Sequence, residues 1–138
     1  MPEDFAELIR ASFDAVARGD TDFLVASSDP EIEIVEPTRL LGATTYRGHA
    51  GLRAALDNWA GQWDDFGVDI ERMIPAGAER VIVVARHHGR GKASGAEVEL
   101  RNVNVYEGRD GRVVRWEIFS SLDEAFAAIG LRRLQRGR

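Results

Sequence analysis

The sequence predicts an α+β fold, with helices gathered in its first half and strands in its second. Three observations carry this. Apolar residues recur at three- and four-residue steps from Phe5, alternating or β-branched runs fill the chain from Val68 onward, and glycine-bearing turns separate those runs. With 138 residues the chain fits one domain, long enough to bury a core but too short for two.

In the first helix Phe5, Leu8, Ile9, Ser12, Phe13 and Val16 share a face, and Gly19 ends it. Asp20 can cap a second short helix whose Phe23, Leu24 and Ala26 turn inward. Ser27-Ser28-Asp29-Pro30 breaks that helix and hands over to a strand, Ile32 to Glu36, stopped by Pro37. A long loop then leads to Tyr46-Arg47-Gly48. The third helix begins about His49, with Leu52, Leu56, Trp59 and Trp63 along one side. Four strands follow, at Val68 to Ile74, Val81 to His88, Val98 to Tyr106 and Val113 to Ser120. Gly77, Gly89, Gly91, Gly95 and the tip Gly108-Arg109-Asp110-Gly111 lie between them, so neighbouring strands are expected to pair antiparallel. Ser121 with Glu124 forms a capping-box pattern for a last short helix through Ala128, closed by Gly130.

Composition narrows the function. No cysteine is present, which removes disulfides, thiolate metal sites and cysteine nucleophiles and fits a reducing cytoplasm. A net charge of -5 argues against a nucleic-acid partner, which would need clustered positive charge. The basic tail, 132–138, reads as a solvated end, with a polyanion or membrane contact as the alternative. No run approaches the ~20 apolar residues of a membrane helix. The acidic start, Met1-Pro2-Glu3-Asp4, is unlike a secretory signal, so a cytoplasmic protein without a membrane partner is expected.

Glu36 stands out as a carboxylate at the end of an apolar strand. Pointed into a pocket, it would hold its proton more tightly and could act in acid/base chemistry. It could equally form an ion pair with Arg86 or Arg47. On the strand Val81 to His88, alternation puts Ile82, Val84, Arg86 and His88 on one face and Val81, Val83, Ala85 and His87 on the other, so only one of the adjacent histidines can face a pocket. His49, at a helix start, is expected to be exposed. Adjacent histidines on a strand cannot share a metal, and no metal or organic cofactor is expected. Gly89-Arg90-Gly91-Lys92 reads as a hairpin turn, since it lacks the spacing and following helix of a phosphate loop.

The order of elements, together with Ala17-Arg18-Gly19-Asp20, Ile34-Val35-Glu36-Pro37, Tyr46-Arg47-Gly48-His49-Ala50-Gly51-Leu52 and Asp110-Gly111-Arg112-Val113-Val114, resembles the SnoaL-like polyketide cyclase and ketosteroid isomerase group of the nuclear transport factor 2-like superfamily. The resemblance runs from about Phe5 to Leu131 and implies a single such domain over 1–131. It implies a cone-shaped, curved, antiparallel-rich sheet, the cystatin-like α+β barrel, wrapped around the N-terminal helices and enclosing an apolar cavity. Glu36-Pro37 takes the place of the isomerases' general-base Asp and Pro. Their two oxyanion donors fall on Ser12 and Val103, which cannot serve, so steroid isomerisation is not expected.

Placed on the family pattern, Arg86 and His88 face the cavity with Glu36. The expected roles are general base for Glu36, proton partner for His88 and enolate or carboxylate clamp for Arg86; Arg86 could instead reach the cavity mouth with its head in water. Phe13, Trp59, Val84, Val103 and Trp116 are expected to line the cavity and receive a small hydrophobic molecule. The opposite sheet face, with Asn102, Asn104, Arg115, Glu117 and Phe119, is expected to form a homodimer. A one-residue bulge in Val98 to Tyr106 would bring Asn102 and Asn104 inward instead. The functional expectation is an acid/base enzyme of the isomerase, cyclase or dehydratase type acting on a hydrophobic carbonyl compound; the alternative is a non-catalytic binding or dimerisation module.

Overall fold

The computed structural model describes residues 2–36, 45–61 and 63–136, with side chains placed over 4–36, 45–61 and 63–130. The chain runs α1 (Pro2–Arg18), α2 (Thr21–Ala26), β1 (Ser28–Val35), β2 (Thr45–Arg47), α3 (Gly48–Ala60), β3 (Trp63–Pro75), β4 (Arg80–Gly91), β5 (Glu97–Arg109), β6 (Arg112–Phe119) and α4 (Leu122–Arg136). The predicted stop at Pro37 and the loop after it lie outside the described residues.

Each boundary has a local cause. At the end of α1, Gly19 takes a left-handed φ of 72°, which lets the Gly19 amide reach the Val16 carbonyl at 3.1 Å and the Asp20 amide reach the Ala15 carbonyl at 2.8 Å. The Asp20 side chain then accepts from the Phe23 amide at 3.1 Å and starts α2. Asp110 and Gly111, with φ of 54° and 77°, form the two-residue turn between β5 and β6. Ser121 Oγ accepts from the Glu124 amide at 3.2 Å, while Glu124 Oε1 reaches back to the Ser120 amide at 3.1 Å, so the predicted capping pair does start α4.

The six strands form one open sheet in the order β2-β1-β6-β5-β4-β3. Every neighbouring pair is antiparallel except β1 with β6, which run parallel. The fold is thus α+β, as expected, with a mixed and unclosed sheet. Helices α1, α2 and α3 pack on the inner face against Ile32, Ile34, Val81, Val83, Ala85, Tyr106 and Val113. On the outer face α4 lays Ala125 and Ile129 over Ile82, Val103 and Val105. The sheet is therefore buried on both sides where it matters most for stability.

Several expectations change. The first strand begins at Ser28, and Glu36 sits just past its end. Trp63 opens β3, because α3 stops at Ala60. Thr45–Arg47 pairs with β1 as a short strand, where only a loop was read. Gly89 and Gly91 lie within β4, and the turn falls between Gly91 and Glu97. The backbone of α4 passes through Gly130 and continues to Arg136, into the segment read as a tail. Among the described residues no helix is long and apolar enough to cross a membrane.

Candidate active-site cavity

Between the inner sheet face and helices α1 to α3 lies a cavity of about 300 Å³, at the lower end of small-molecule pockets. Its walls are mostly apolar: Phe13 from α1, Leu56 and Trp59 from α3, Phe66 and Val68 from β3, and Trp116 from β6. Aromatic rings brace one another around it. Trp116 stacks on Tyr106 at 5.5 Å and 23°, meets Trp59 edge-on at 5.3 Å, and Phe13 meets Tyr106 edge-on at 6.1 Å. The Tyr106 phenol is buried, and burial pushes it well above its ordinary value of 10.0, so it keeps its proton.

Strand register determines which polar groups enter. On β4 and β5, Val83 lies opposite Asn104, Ala85 opposite Asn102 and His87 opposite Leu100, with no break in register. His87, Asn102, Asn104 and Tyr106 therefore share the inner face. His87 Nε2 lies 3.1 Å from Asn102 Oδ1, Asn104 Nδ2 donates to the same oxygen at 2.9 Å, and Trp116 Nε1 donates to Asn104 Oδ1 at 2.9 Å. Asn104 is only 2% exposed, so this chain of bonds is what satisfies its amide inside the protein. The His87 ring tilts against Phe66 at 5.8 Å. Burial holds the His87 imidazole below its ordinary 6.5; the Asn102 hydrogen bond pulls it partly back and the neighbouring His88 lowers it further. It is a neutral base at pH 7.

The predicted trio is not brought together. Arg86 and His88 point to the outer face. Arg86 donates to Asp69 at 2.9 Å and lies 3.6 Å from Glu99, and His88 Nε2 lies 3.2 Å from the same Asp69 oxygen. The Arg86 hydrogen bond holds the exposed Asp69 carboxyl below its usual value, with His88 contributing and the small burial opposing. Gly67 makes room for this arrangement, since a Cβ there would stand 2.4 Å from His88 Cε1. Glu36 accepts from Trp59 Nε1 at 3.2 Å and is not among the cavity-lining residues, so it stands one indole away from the hollow. Arg47 pairs with Glu33.

Of the predicted lining, Phe13, Trp59 and Trp116 reach the cavity, whereas Val84 and Val103 face outward and pack in the cluster beneath α4. The reason is that Val84 and Val103 are register partners, one residue out of phase with Val83 and Asn104. Asn102 and Asn104 accordingly lie on the inner face and not the outer, with no bulge in Val98 to Tyr106; the one register shift of β5 falls later, at Glu107 and Gly108 against β6. Arg115 and Glu117 remain outside, paired with Glu33 and with each other. His49 is half-buried rather than exposed, and its Nε2 lies 2.9 Å from the Ser28 carbonyl. Asp20 and Asp57 are the charged groups on the cavity wall, and no arginine or lysine is among its described lining residues.

Residues 9–116 match the SnoaL-like domain. The chain belongs to that family. No curated protein sequence matches it significantly. This SnoaL-like protein shares its fold with an NTF2-like protein of unknown function from Burkholderia pseudomallei K96243, at 20% identity over 90% of this chain and 95% of that one with a TM-score of 0.77. An NTF2-like protein from Burkholderia xenovorans LB400 is 29% identical over 85% of this chain and 88% of that one, with a TM-score of 0.68. A protein described as a SnoaL-like polyketide cyclase from Jannaschia sp. CCS1 is 19% identical over 92% of each chain, with a TM-score of 0.76.

His87 and Asn104 line this SnoaL-like cavity, with Asn102 bonded to both, and the sequence put none of the three on the inner face except, for the two asparagines, through a bulge. One signal was present. Asparagine is depleted in strands, so two of them a residue apart, interleaved with Val103 and Val105, point to a buried polar network on one face.

Proposed function

We propose that this protein is an acid/base enzyme of the isomerase, cyclase or dehydratase type, acting on a small hydrophobic carbonyl compound with His87 as its proton-transfer group. The observation that carries the reading is an imidazole set in a mostly apolar cavity and held by Asn102 at 3.1 Å. In such a step His87 takes a proton from the carbon beside the carbonyl; the C–H electron pair moves into the enolate, and the imidazolium later returns the proton to carbon or to a departing oxygen. The roles first assigned to His88 and Arg86 pass to groups on the inner face, and a cation to clamp a carboxylate is lacking among the described lining residues. With Asp20 and Asp57 as its charged wall groups, the cavity suits a neutral substrate, whose enolate would meet neutral donors such as the protonated Tyr106.

The test uses neutral aryl ketones. Binding is followed by the fluorescence of Trp59 and Trp116, and solvent deuterium exchange at the α-carbon by NMR. Wild-type protein is expected to catalyse exchange and His87→Gln to lose it by about 100-fold or more while still binding. Binding without exchange by the wild type would refute the enzyme and leave the second reading, a small-molecule binding module. That reading is favoured by one fact: the amides and the Trp116 indole spend hydrogen-bonding capacity on one another.

The proposal extends to a homodimer formed through the outer face that α4 leaves uncovered. There Asp69, Arg86, Glu99 and Arg101 alternate in sign and could pair with a second copy. A monomeric mass at micromolar concentration in light scattering would remove it.

A further inference from the structure

The hydrogen bonds around His87 have a direction, and Trp116 sets it. The Trp116 indole is a donor with no acceptor atom. Its partner at 2.9 Å must therefore be the oxygen of Asn104, which turns the Asn104 amide nitrogen toward Asn102. That nitrogen donates, so the Asn102 atom it meets at 2.9 Å must accept. The same Asn102 oxygen lies 3.1 Å from His87 Nε2, and an acceptor facing Nε2 requires that Nε2 carry the hydrogen.

We infer that Trp116, acting through Asn104 and Asn102, fixes His87 as the Nε2–H tautomer, leaving Nδ1 as the atom that exchanges a proton with substrate. This rests on the reading of His87 as the proton-transfer group and names its working atom. The relay suits a catalytic cycle because it is indifferent to the proton in transit. Nε2–H donates to Asn102 both in the neutral ring and in the imidazolium, so Nδ1 can gain the substrate's proton and lose it again without any amide turning over. Trp116, Asn104 and Asn102 are positioning residues in this scheme. Trp59 provides the contrast: it also lines the cavity and touches Trp116 edge-on, but its indole donates to Glu36 and stands outside the relay.

Nitrogen-15 NMR of the imidazole in the ligand-free protein reads the tautomer directly, above the pH at which His87 protonates. In the wild type the Nε2–H form is expected to exceed the other by about fivefold or more beyond the ratio of an unrestrained histidine ring, the factor that one buried hydrogen bond sustains. Trp116→Phe keeps an aromatic ring but removes the donor, and should bring the ratio to within about twofold of that unrestrained value. Asn104→Leu breaks the relay in its middle and should do the same, which serves if the first variant folds poorly. Trp59→Phe should leave the wild-type ratio intact. An Nδ1–H ring in the wild type, or a ratio no greater than that of an unrestrained histidine, overturns the inference, as does a Trp59→Phe effect equal to that of Trp116→Phe, which would reveal packing rather than hydrogen-bond direction. Deuterium exchange is a separate readout. A fixed tautomer in a protein without exchange would remove the enzyme and keep the relay, whereas an active protein with a mixed ring would do the reverse.

Discussion

His87 and His88 are neighbours in sequence and opposites in environment. His87 faces the cavity, touches Phe66 and one amide oxygen, and loses proton affinity to burial. His88 lies on the outer face over Gly67, within 3.2 Å of a carboxylate and with 44% of its side chain exposed. The two faces of one strand thus offer different chemistry to the same side chain. On the inner face burial makes a proton expensive to hold; on the outer face charges are exposed and compensate one another cheaply.

The largest effects should come from the packed cores, one on each face of the sheet. Ile9→Ala on the buried side of α1 and Ile82→Ala beneath α4 should each lower unfolding free energy by about 2–5 kcal/mol, because both side chains are fully buried. Urea denaturation measures this. A near-neutral Ile82→Ala would show that α4 does not form a core with the outer face.

Two glycines sharpen the contrast further. A Cβ at Gly108 would stand 2.4 Å from the Phe5 ring, and a Cβ at Gly67 would stand 2.4 Å from the His88 ring. The overlap is the same but the neighbours differ. Phe5 is 3% exposed and has nowhere to go, so Gly108→Ala should cost about 1–3 kcal/mol. The exposed His88 ring can swing into water, so Gly67→Ala should change stability by no more than about 0.5 kcal/mol. Equal losses in thermal melts would contradict this picture of an open outer face.

Acid should separate the faces in a different way. Because His87 binds its proton more weakly folded than unfolded, the unfolded chain takes up more protons as pH falls below 6.5, and stability falls with it until the folded-state pKa is passed. Above 6.5 this contribution is fully present. His87→Gln should flatten the slope of stability against pH in that window. The depressed Asp69 contributes in the same sense at lower pH, in the carboxylate range, and being exposed it should contribute little.

Much of this architecture was legible in the residues. The apolar steps from Phe5 to Val16, the Asp110-Gly111 turn and the Ser121/Glu124 pair each act through neighbours in sequence, and each lies in the element that was read from it. What was lost depends on partners distant in sequence. Val81 to Ala85 is apolar at every position because the strand is covered on both sides, so no alternation marks which residues face the cavity. Reading that run one residue out of phase carried Arg86 and His88 inward and His87 outward. The parallel pairing of β1 with β6 leaves no turn signal, since the two are far apart in the chain. Thr45–Arg47 is too short to show a period, and Gly130 looked like a stop although the helix passes through it. The SnoaL-like assignment came from several motifs in order. The working residues required the register.

The central claim is that His87, and not His88, occupies the desolvated inner face. An NMR pH titration of the imidazole resonances, with His87 identified by its loss in His87→Gln, tests this most directly. The account predicts a His87 midpoint below 6.5 and a resonance that shifts when a hydrophobic ligand fills the cavity while that of His88 stays in place. A His87 midpoint at or above 6.5, with no response to such a ligand, would contradict it.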